Sequence, residues 1–216
     1  MSSLQNREIC DASHQQFVEF CMVDKFQPAG ATYTLQRRVA GYHDIRMDGM
    51  VDLVMRAKGK SVFDIGCNRG LVGFEFANNG ASIVHGCDIY EDGIKTAREV
   101  FADLRSTQSR FEVVDLTAGP RSLGIFGLGK YDITLCLATY HKLKRIMPTS
   151  ELTALMQHFG RWTKEYFAWR GTSDKPKEND EEIANLDRDL LPVGLVRCHT
   201  SYISTELGVA AIWRRQ

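Results

Sequence analysis

No apolar run in this sequence approaches the ~20 residues needed to cross a bilayer, so a membrane span is not expected. The first residues, MSSLQNREICDASHQQ, hold neither a basic region nor an apolar stretch of the secretory kind, and a cytoplasmic location is expected. Net charge is also missing: 27 Lys and Arg balance 27 Asp and Glu. That excludes broad coating of nucleic acid through the overall field, which needs a positive excess. The six cysteines form no C-x-x-C pair, and none has a histidine at zinc-ligand spacing. Cys67, Cys87 and Cys136 lie in or beside apolar runs and read as reduced core thiols. What is there is ordinary for a globular domain: 216 residues, 44% hydrophobic and 25% charged, enough to bury a core.

Hydrophobic periodicity divides the chain in two. Residues 1–60 read as a helical cap, with helices over 13–23 and about 44–57 and a turn at 27–33. From residue 61 strands alternate with helices. Strands are expected at 61–66, 81–88, 110–115, 131–138 and 165–170. Helices are expected at 70–79, across the Ile94, Ala97, Phe101 and Leu104 stripe, at 150–160 and at 183–190. The polar stretch 172–182 reads as a surface loop, and 194–204 with 208–215 as a closing hairpin. This alternation predicts an α/β fold: a doubly wound, Rossmann-like, mostly parallel seven-stranded sheet with an antiparallel C-terminal hairpin strand.

Such sheets bind ligands at the carboxyl ends of their strands. The first strand runs out in VFDIGCNRG, with Asp64, Gly66 and Gly70; Gly66 permits close backbone approach, and Gly70 opens the next helix. The second ends in Asp88, an acid placed to accept hydrogen bonds from ribose hydroxyls. The third ends in Asp115, whose carboxylate suits an adenine amino group. Taken singly, each has a plainer explanation: a strand-to-helix turn, a helix cap or a solvated acid. Their order, three consecutive strands each closing on an acid, favours a nucleoside site. A dinucleotide-dependent oxidoreductase is the competing class, but its G-x-G-x-x-G is missing, because the glycines run Gly66-x3-Gly70-x2-Gly73. Gly59-Lys60-Ser61 echoes the end of a phosphate loop, yet it precedes the strand instead of following it.

VFDIGCNRG, GCDIY, FEVVD and YDITLCLATYHKL together resemble the successive motifs of class I S-adenosylmethionine-dependent methyltransferases, over about 61–216. The resemblance implies S-adenosyl-L-methionine as cofactor. It implies that the loop of Gly66, Cys67, Asn68 and Gly70 lies against the methionine part, supported by Asp64. Asp88 with Ile89 would then take the ribose, Asp115 with Leu116 the adenine, and Leu137 would line the cofactor edge. Asn68 and Arg69 stand where the family commonly has smaller residues.

Methyl transfer needs alignment of a nucleophile and, for some acceptors, removal of its proton. The acceptor is expected beyond the fourth strand, at Tyr140 and His141. His141 is the candidate base or orienting group and Tyr140 a lining residue; the alternative is a capping histidine and a packed tyrosine. Tyr42, Arg46 and Lys142 are candidate substrate contacts, the first two on an aromatic and arginine-rich segment that reads equally as a lid or as simple packing. There is no D/N-P-P-Y/F after the fourth strand, which disfavours planar amino groups of bases or glutamine as acceptors. A small molecule or an RNA remains the expected acceptor, and a non-catalytic S-adenosylmethionine-binding protein the rival to an enzyme.

Overall fold

The computed structural model describes residues 49–127, 129–171, 176–204 and 208–216. The helix expected at 13–23, the turn at 27–33, Tyr42, Arg46 and most of the proposed cap lie outside them. Of the helix expected at 44–57, α1 is seen at Val51–Met55.

The remaining elements alternate. They are β1 (Ser61–Ile65), α2 (Leu71–Asn78), β2 (Ile83–Asp88), α3 (Glu91–Phe101), β3 (Gln108–Val113), β4 (Tyr131–Leu137), α4 (Tyr140–Ile146), α5 (Thr149–Trp162), β5 (Thr163–Arg170), α6 (Pro176–Leu190), β6 (Leu195–Ser204) and β7 (Gly208–Arg215). Two 3-10 segments, Leu116–Ala118 and Pro120–Phe126, occupy the glycine-rich connection before β4. The seven strands form one sheet in the order β3-β2-β1-β4-β5-β7-β6. Strands β1 to β5 pair in parallel, while β7 runs antiparallel to both β5 and β6. The expected mostly parallel sheet with one antiparallel C-terminal strand is therefore present. Among the described residues no helix is long and apolar enough to cross a membrane.

Local sequence explains the elements. Helix α3 carries Glu91 and Asp92 in its first turn and Arg98 in its last, matching charge to the helix dipole. Its buried stripe is Ile94, Ala97 and Phe101; Leu104 falls beyond its end. The stretch 172–182 is corrected: helix begins at Pro176, a residue suited to a first helical position because its missing N–H would have no intrahelical partner. Most of its charged residues face water, while Asn179, Glu182, Ile183, Leu186, Asp189 and Leu190 are buried along one continuous helical stripe. The sequence reading took only the apolar part of that stripe and so began the helix seven residues late.

Alternation along β1 sends Phe63 and Ile65 into the main core and Asp64 to the opposite face. Phe63 sits in a cage of rings, 5.0 Å from Phe126, 4.9 Å from Tyr131 and 5.5 Å from Trp162 between centroids. At the margin of this cage His85 Nδ1 lies 2.8 Å from the Tyr131 hydroxyl. Cys67, Cys87 and Cys136 are buried free thiols, as expected, and Cys198 is an exposed one.

Burial, helped by the nearby Arg110 charge, lowers the His85 pKa to about 4 from an ordinary 6.5. The unfolded chain then binds the extra proton first, so this group's contribution to stability is intact above about 6.5 and is lost as pH falls toward 4. The loss amounts to up to about 3 kcal/mol. Urea unfolding at pH 7 and pH 4.5 should show roughly 2 kcal/mol less pH dependence for His85→Gln than for the parent chain.

Candidate functional site

The strand order reverses between β1 and β4, and the crevice of such a sheet opens there, at the carboxyl ends. The turn after β1 closes this edge. Gly66 and Cys67 both donate their N–H to the Cys87 carbonyl, at 2.8 and 3.0 Å, so the turn lies directly on the end of β2. Gly66 has φ +72°, and a Cβ there would overlap the Thr139 hydroxyl and come within 3.0 Å of Thr139 Cβ. Asn68 has φ +50°, a left-handed conformation that asparagine tolerates better than most residues. Gly70 caps α2 in the same left-handed region.

Asp88 is fixed by this turn. One carboxylate oxygen accepts the Asn68 N–H at 2.8 Å, and the other accepts the Tyr90 N–H at 2.9 Å. A carboxylate oxygen has two acceptor directions, so both oxygens keep one for a ligand hydroxyl. Beside it stand exposed apolar side chains, Ile89 at 66% and Val113 at 46% exposure, flanking the ends of β2 and β3. Leu116 and Leu137 are buried beneath the same edge.

Asp64 is buried on the face covered by α2, where it accepts the Gly73 N–H. Burial and the neighbouring Asp88 charge raise its pKa to about 7, while Arg170 and the Gly73 bond pull it down. A cation at the turn would favour the ionised form. Cys67 is buried and holds its proton well above the ordinary thiol range. Asp115 stands two residues beyond β3 and caps the 3-10 turn, accepting the Thr117 N–H at 2.9 Å and its hydroxyl at 2.7 Å. These bonds hold its carboxyl below the usual range. The sequence-derived cofactor residues thus gather at one edge, with Asp64 and Asp115 serving local structure as well.

Past β4 the chain turns sharply at Ala138, φ +56°, a conformation that costs a non-glycine residue about 1 kcal/mol. The turn starts α4 at once. Thr139 donates its hydroxyl to the Ile65 and Leu137 carbonyls, both at 3.2 Å, tying α4's start to the turn after β1. Tyr140 is only 2% exposed and packs in the core, as the packed-tyrosine alternative has it. His141 is partly buried at the edge; burial, Lys142 and Arg145 hold its pKa below the imidazole range. It is therefore neutral at pH 7, the form that accepts a proton. Lys142 is exposed, whereas Lys144 pairs with Glu181 of α6 at 2.7 Å.

Three polar residues escaped the sequence reading. Arg170 ends the apolar run of β5, is 4% exposed, and its charge acts on Asp64. Asn179 and Glu182, at 3% and 6% exposure, bring polar groups to the same end of the sheet from α6. The signal for the last two was their spacing with Ile183 and Leu186; for Arg170 it was a charge closing a buried strand.

A sheet of this order, with a glycine turn on β2 and an oriented acid beside it, defines a nucleoside-binding α/β domain. Residues 62–165 match the family model described as a methyltransferase domain. That match, over 104 of the 216 residues, is consistent with the class I S-adenosylmethionine-dependent resemblance of the sequence motifs. The magnesium protoporphyrin IX methyltransferase of Synechocystis PCC 6803, solved with bound S-adenosylmethionine, is 20% identical, with 100% of both chains covered and a TM-score of 0.61. The N-methyltransferase NodS of Bradyrhizobium japonicum WM9 is 12% identical over 79% of this chain and 94% of its own, with a TM-score of 0.59. The [4+2]-cyclase SpnF is 14% identical over 78% of this chain and 81% of its own, with a TM-score of 0.57. At such identities these likenesses concern the fold. No curated protein sequence matches the chain.

Gly66→Ala would put a methyl group against Thr139 in a left-handed backbone. The expected result is a loss of about 1–3 kcal/mol in thermal or urea unfolding. It should be accompanied by weakened S-adenosylmethionine binding, since the turn can no longer lie on Cys87.

Proposed function

We infer that this chain transfers the methyl group of S-adenosyl-L-methionine to a small-molecule acceptor, using a domain that spans about 61–216. The observation that carries this reading is the turn from Gly66 to Gly70, seated on the Cys87 carbonyl and fixing Asp88 through the Asn68 N–H. The residues present fit the group: an oriented carboxylate for two ribose hydroxyls, uncovered apolar side chains for a flat base, and a buried acid, Asp64, whose ionisation a nearby cation would favour. Asp88 with Ile89 would hold the ribose, Asp115 and Leu116 the adenine edge, and Gly66, Cys67, Asn68 and Gly70 the methionine part, with Leu137 lining the same edge. When bound, the cofactor supplies an electrophilic methyl on sulfur, so no metal or covalent intermediate is needed to activate the group.

The chain's own task is then alignment and proton removal. Neutral His141, at the start of α4, orients the acceptor or relays its proton. A small acceptor is favoured over RNA because the chain carries no net charge and Lys144 is already paired with Glu181. The name of the porphyrin methyltransferase, whose acceptor is a small molecule, supports the same choice. SpnF shows that a cyclase can use this fold, so transfer of label is the decisive readout.

Incubation with methyl-labelled donor and fractionated cell extract should label the small-molecule fraction; label confined to RNA overturns the acceptor assignment. By isothermal titration, Asp88→Ala should weaken S-adenosylmethionine binding by about 10–100-fold, corresponding to two charge-assisted hydrogen bonds lost. His141→Ala should instead lower turnover by about 10²-fold or more while leaving cofactor affinity within twofold. Unchanged turnover removes His141 from the mechanism.

A further inference from the structure

Beneath Tyr140, on the face of the sheet opposite Asp64, the structure holds a polar cluster that the preceding reading does not use. Trp169 lies on β5 opposite Cys136 of β4, fully buried, and among the described residues its indole Nε1 has no hydrogen-bond partner. Glu182 on α6 is buried, and its Oε2 likewise lacks a partner among the described residues. Two observations bring them together. A Cβ added to Gly171 would overlap Asn179 Oδ1 and come within 3.0 Å of Trp169 Cζ2, the ring carbon next to the Nε1-bearing edge. Asn179 and Glu182 are three residues apart on one helix, hence on one face. Glu182 is also close enough to Cys136 and Tyr140 for its charge to act on both.

A buried N–H without an acceptor and a buried carboxylate oxygen without a donor each cost about 1–3 kcal/mol. Finding both in one layer at the carboxyl ends of β4 and β5 is a site for one group that donates and accepts at once. The geometry points to this cluster as the acceptor subsite, which takes an uncharged hydroxyl between Trp169 Nε1 and Glu182. The inference rests on the methyltransferase reading above and names its substrate class.

A hydroxyl satisfies both orphans: its oxygen accepts the indole N–H and its proton is donated to Glu182. A carboxylate has no proton to give and would face Glu182 charge to charge. As the acceptor oxygen forms its bond to the methyl carbon, the carbon–sulfur bond of the sulfonium donor breaks and its electron pair stays on sulfur. The hydroxyl proton goes to Glu182, which becomes a neutral carboxylic acid. Burial supports that role by raising the Glu182 pKa to about 7. Of the charges facing it, Lys144 and Arg145 of α4 lower that value and Glu178 and Glu181 of its own helix raise it. Gly171 lets the end of β5 lie directly against Trp169 and Asn179, since a Cβ there would overlap both.

The test uses the ¹⁵N-labelled full chain saturated with S-adenosylhomocysteine, with saturation checked by calorimetry. The Trp169 indole N–H resonance is assigned by its disappearance in Trp169→Phe. Two matched pairs of probes are titrated, phenol against benzoate and 1-propanol against propionate. The expected result is a saturable shift of that resonance with at least one alcohol, and at least tenfold weaker binding of its carboxylate counterpart. Glu182→Gln, folded by its melting profile, should weaken the alcohol at least tenfold and leave S-adenosylhomocysteine affinity within twofold. A resonance unmoved by both alcohols, or a carboxylate bound as tightly, overturns the subsite; both comparisons use the parent chain and need no variant to fold. Equal alcohol affinity in Glu182→Gln overturns the role of Glu182. A chain that takes up no S-adenosylhomocysteine overturns the underlying cofactor reading, and the subsite with it.

Discussion

The functional edge of this protein depends on how closely one turn approaches its neighbours. Gly66 and Cys67 share the Cys87 carbonyl, so the chain leaving β1 is pinned to the last turn of β2 before α2 begins. That contact leaves no space for a Cβ at Gly66, because Thr139 occupies it from the far side. Thr139 in turn bonds the Ile65 carbonyl. Three crossovers of the sheet, from β1, β2 and β4, are thereby locked within a few ångströms of each other. The Asn68 amide that orients Asp88 and the abrupt start of α4 at Tyr140 both follow from this packing.

Two buried carboxyl groups flank that lock on opposite faces of the sheet. Asp64 faces α2 and Glu182 faces α4, and burial raises each toward pH 7. Raised carboxyl pKa values favour folding at low pH and cost stability as pH rises from about 4 through 7, the reverse of His85. A protein gains nothing in stability at neutral pH from such groups. Their retention at the strand ends fits tasks that need a poised charge: one beside a cationic cofactor, the other beside an acceptor proton. The two acids occupy separate faces, so either can change charge without directly opposing the other across the core.

The parallel order, the C-terminal antiparallel strand and the acids and glycines along the strand ends were legible because each leaves a local signature. Strand-ending acids, a glycine turn and period-3.6 stripes are visible in consecutive residues. Asp115 stands two residues past the strand it was expected to end, and its bonds to Thr117 hold its own turn together. The acceptor side was less legible. Tyr140 looks like an exposed loop residue beside His141, yet the left-handed turn at Ala138 swings it into the core. Asn179 and Glu182 look like solvated residues inside TSDKPKENDEE, because a polar residue on a buried helix face carries no hydrophobic signal. Only extending the Ile183, Leu186 and Leu190 stripe backward through them reveals the helix. Arg170 shows the same limit: composition marks it as polar, while burial at the end of β5 is a product of tertiary structure.

This division has a physical basis in what the two halves of the site must recognise. The cofactor edge meets one invariant ligand, and it is built from backbone turns whose requirements are written in glycine and acid positions. The acceptor side meets whatever molecule the enzyme serves, and it is built from side chains delivered by α4 and α6 onto the same platform. Backbone constraints are local and hence readable, whereas side-chain convergence depends on helices separated by tens of residues in the chain. The likeness of this fold to methyltransferases of different acceptors, and to a cyclase, follows from that arrangement. The reaction is set less by the sheet than by which polar groups the later helices leave unpaired above β4 and β5. Among the described residues those groups include the Trp169 indole N–H and the Glu182 carboxylate, a pair that a hydroxyl completes and an anion does not.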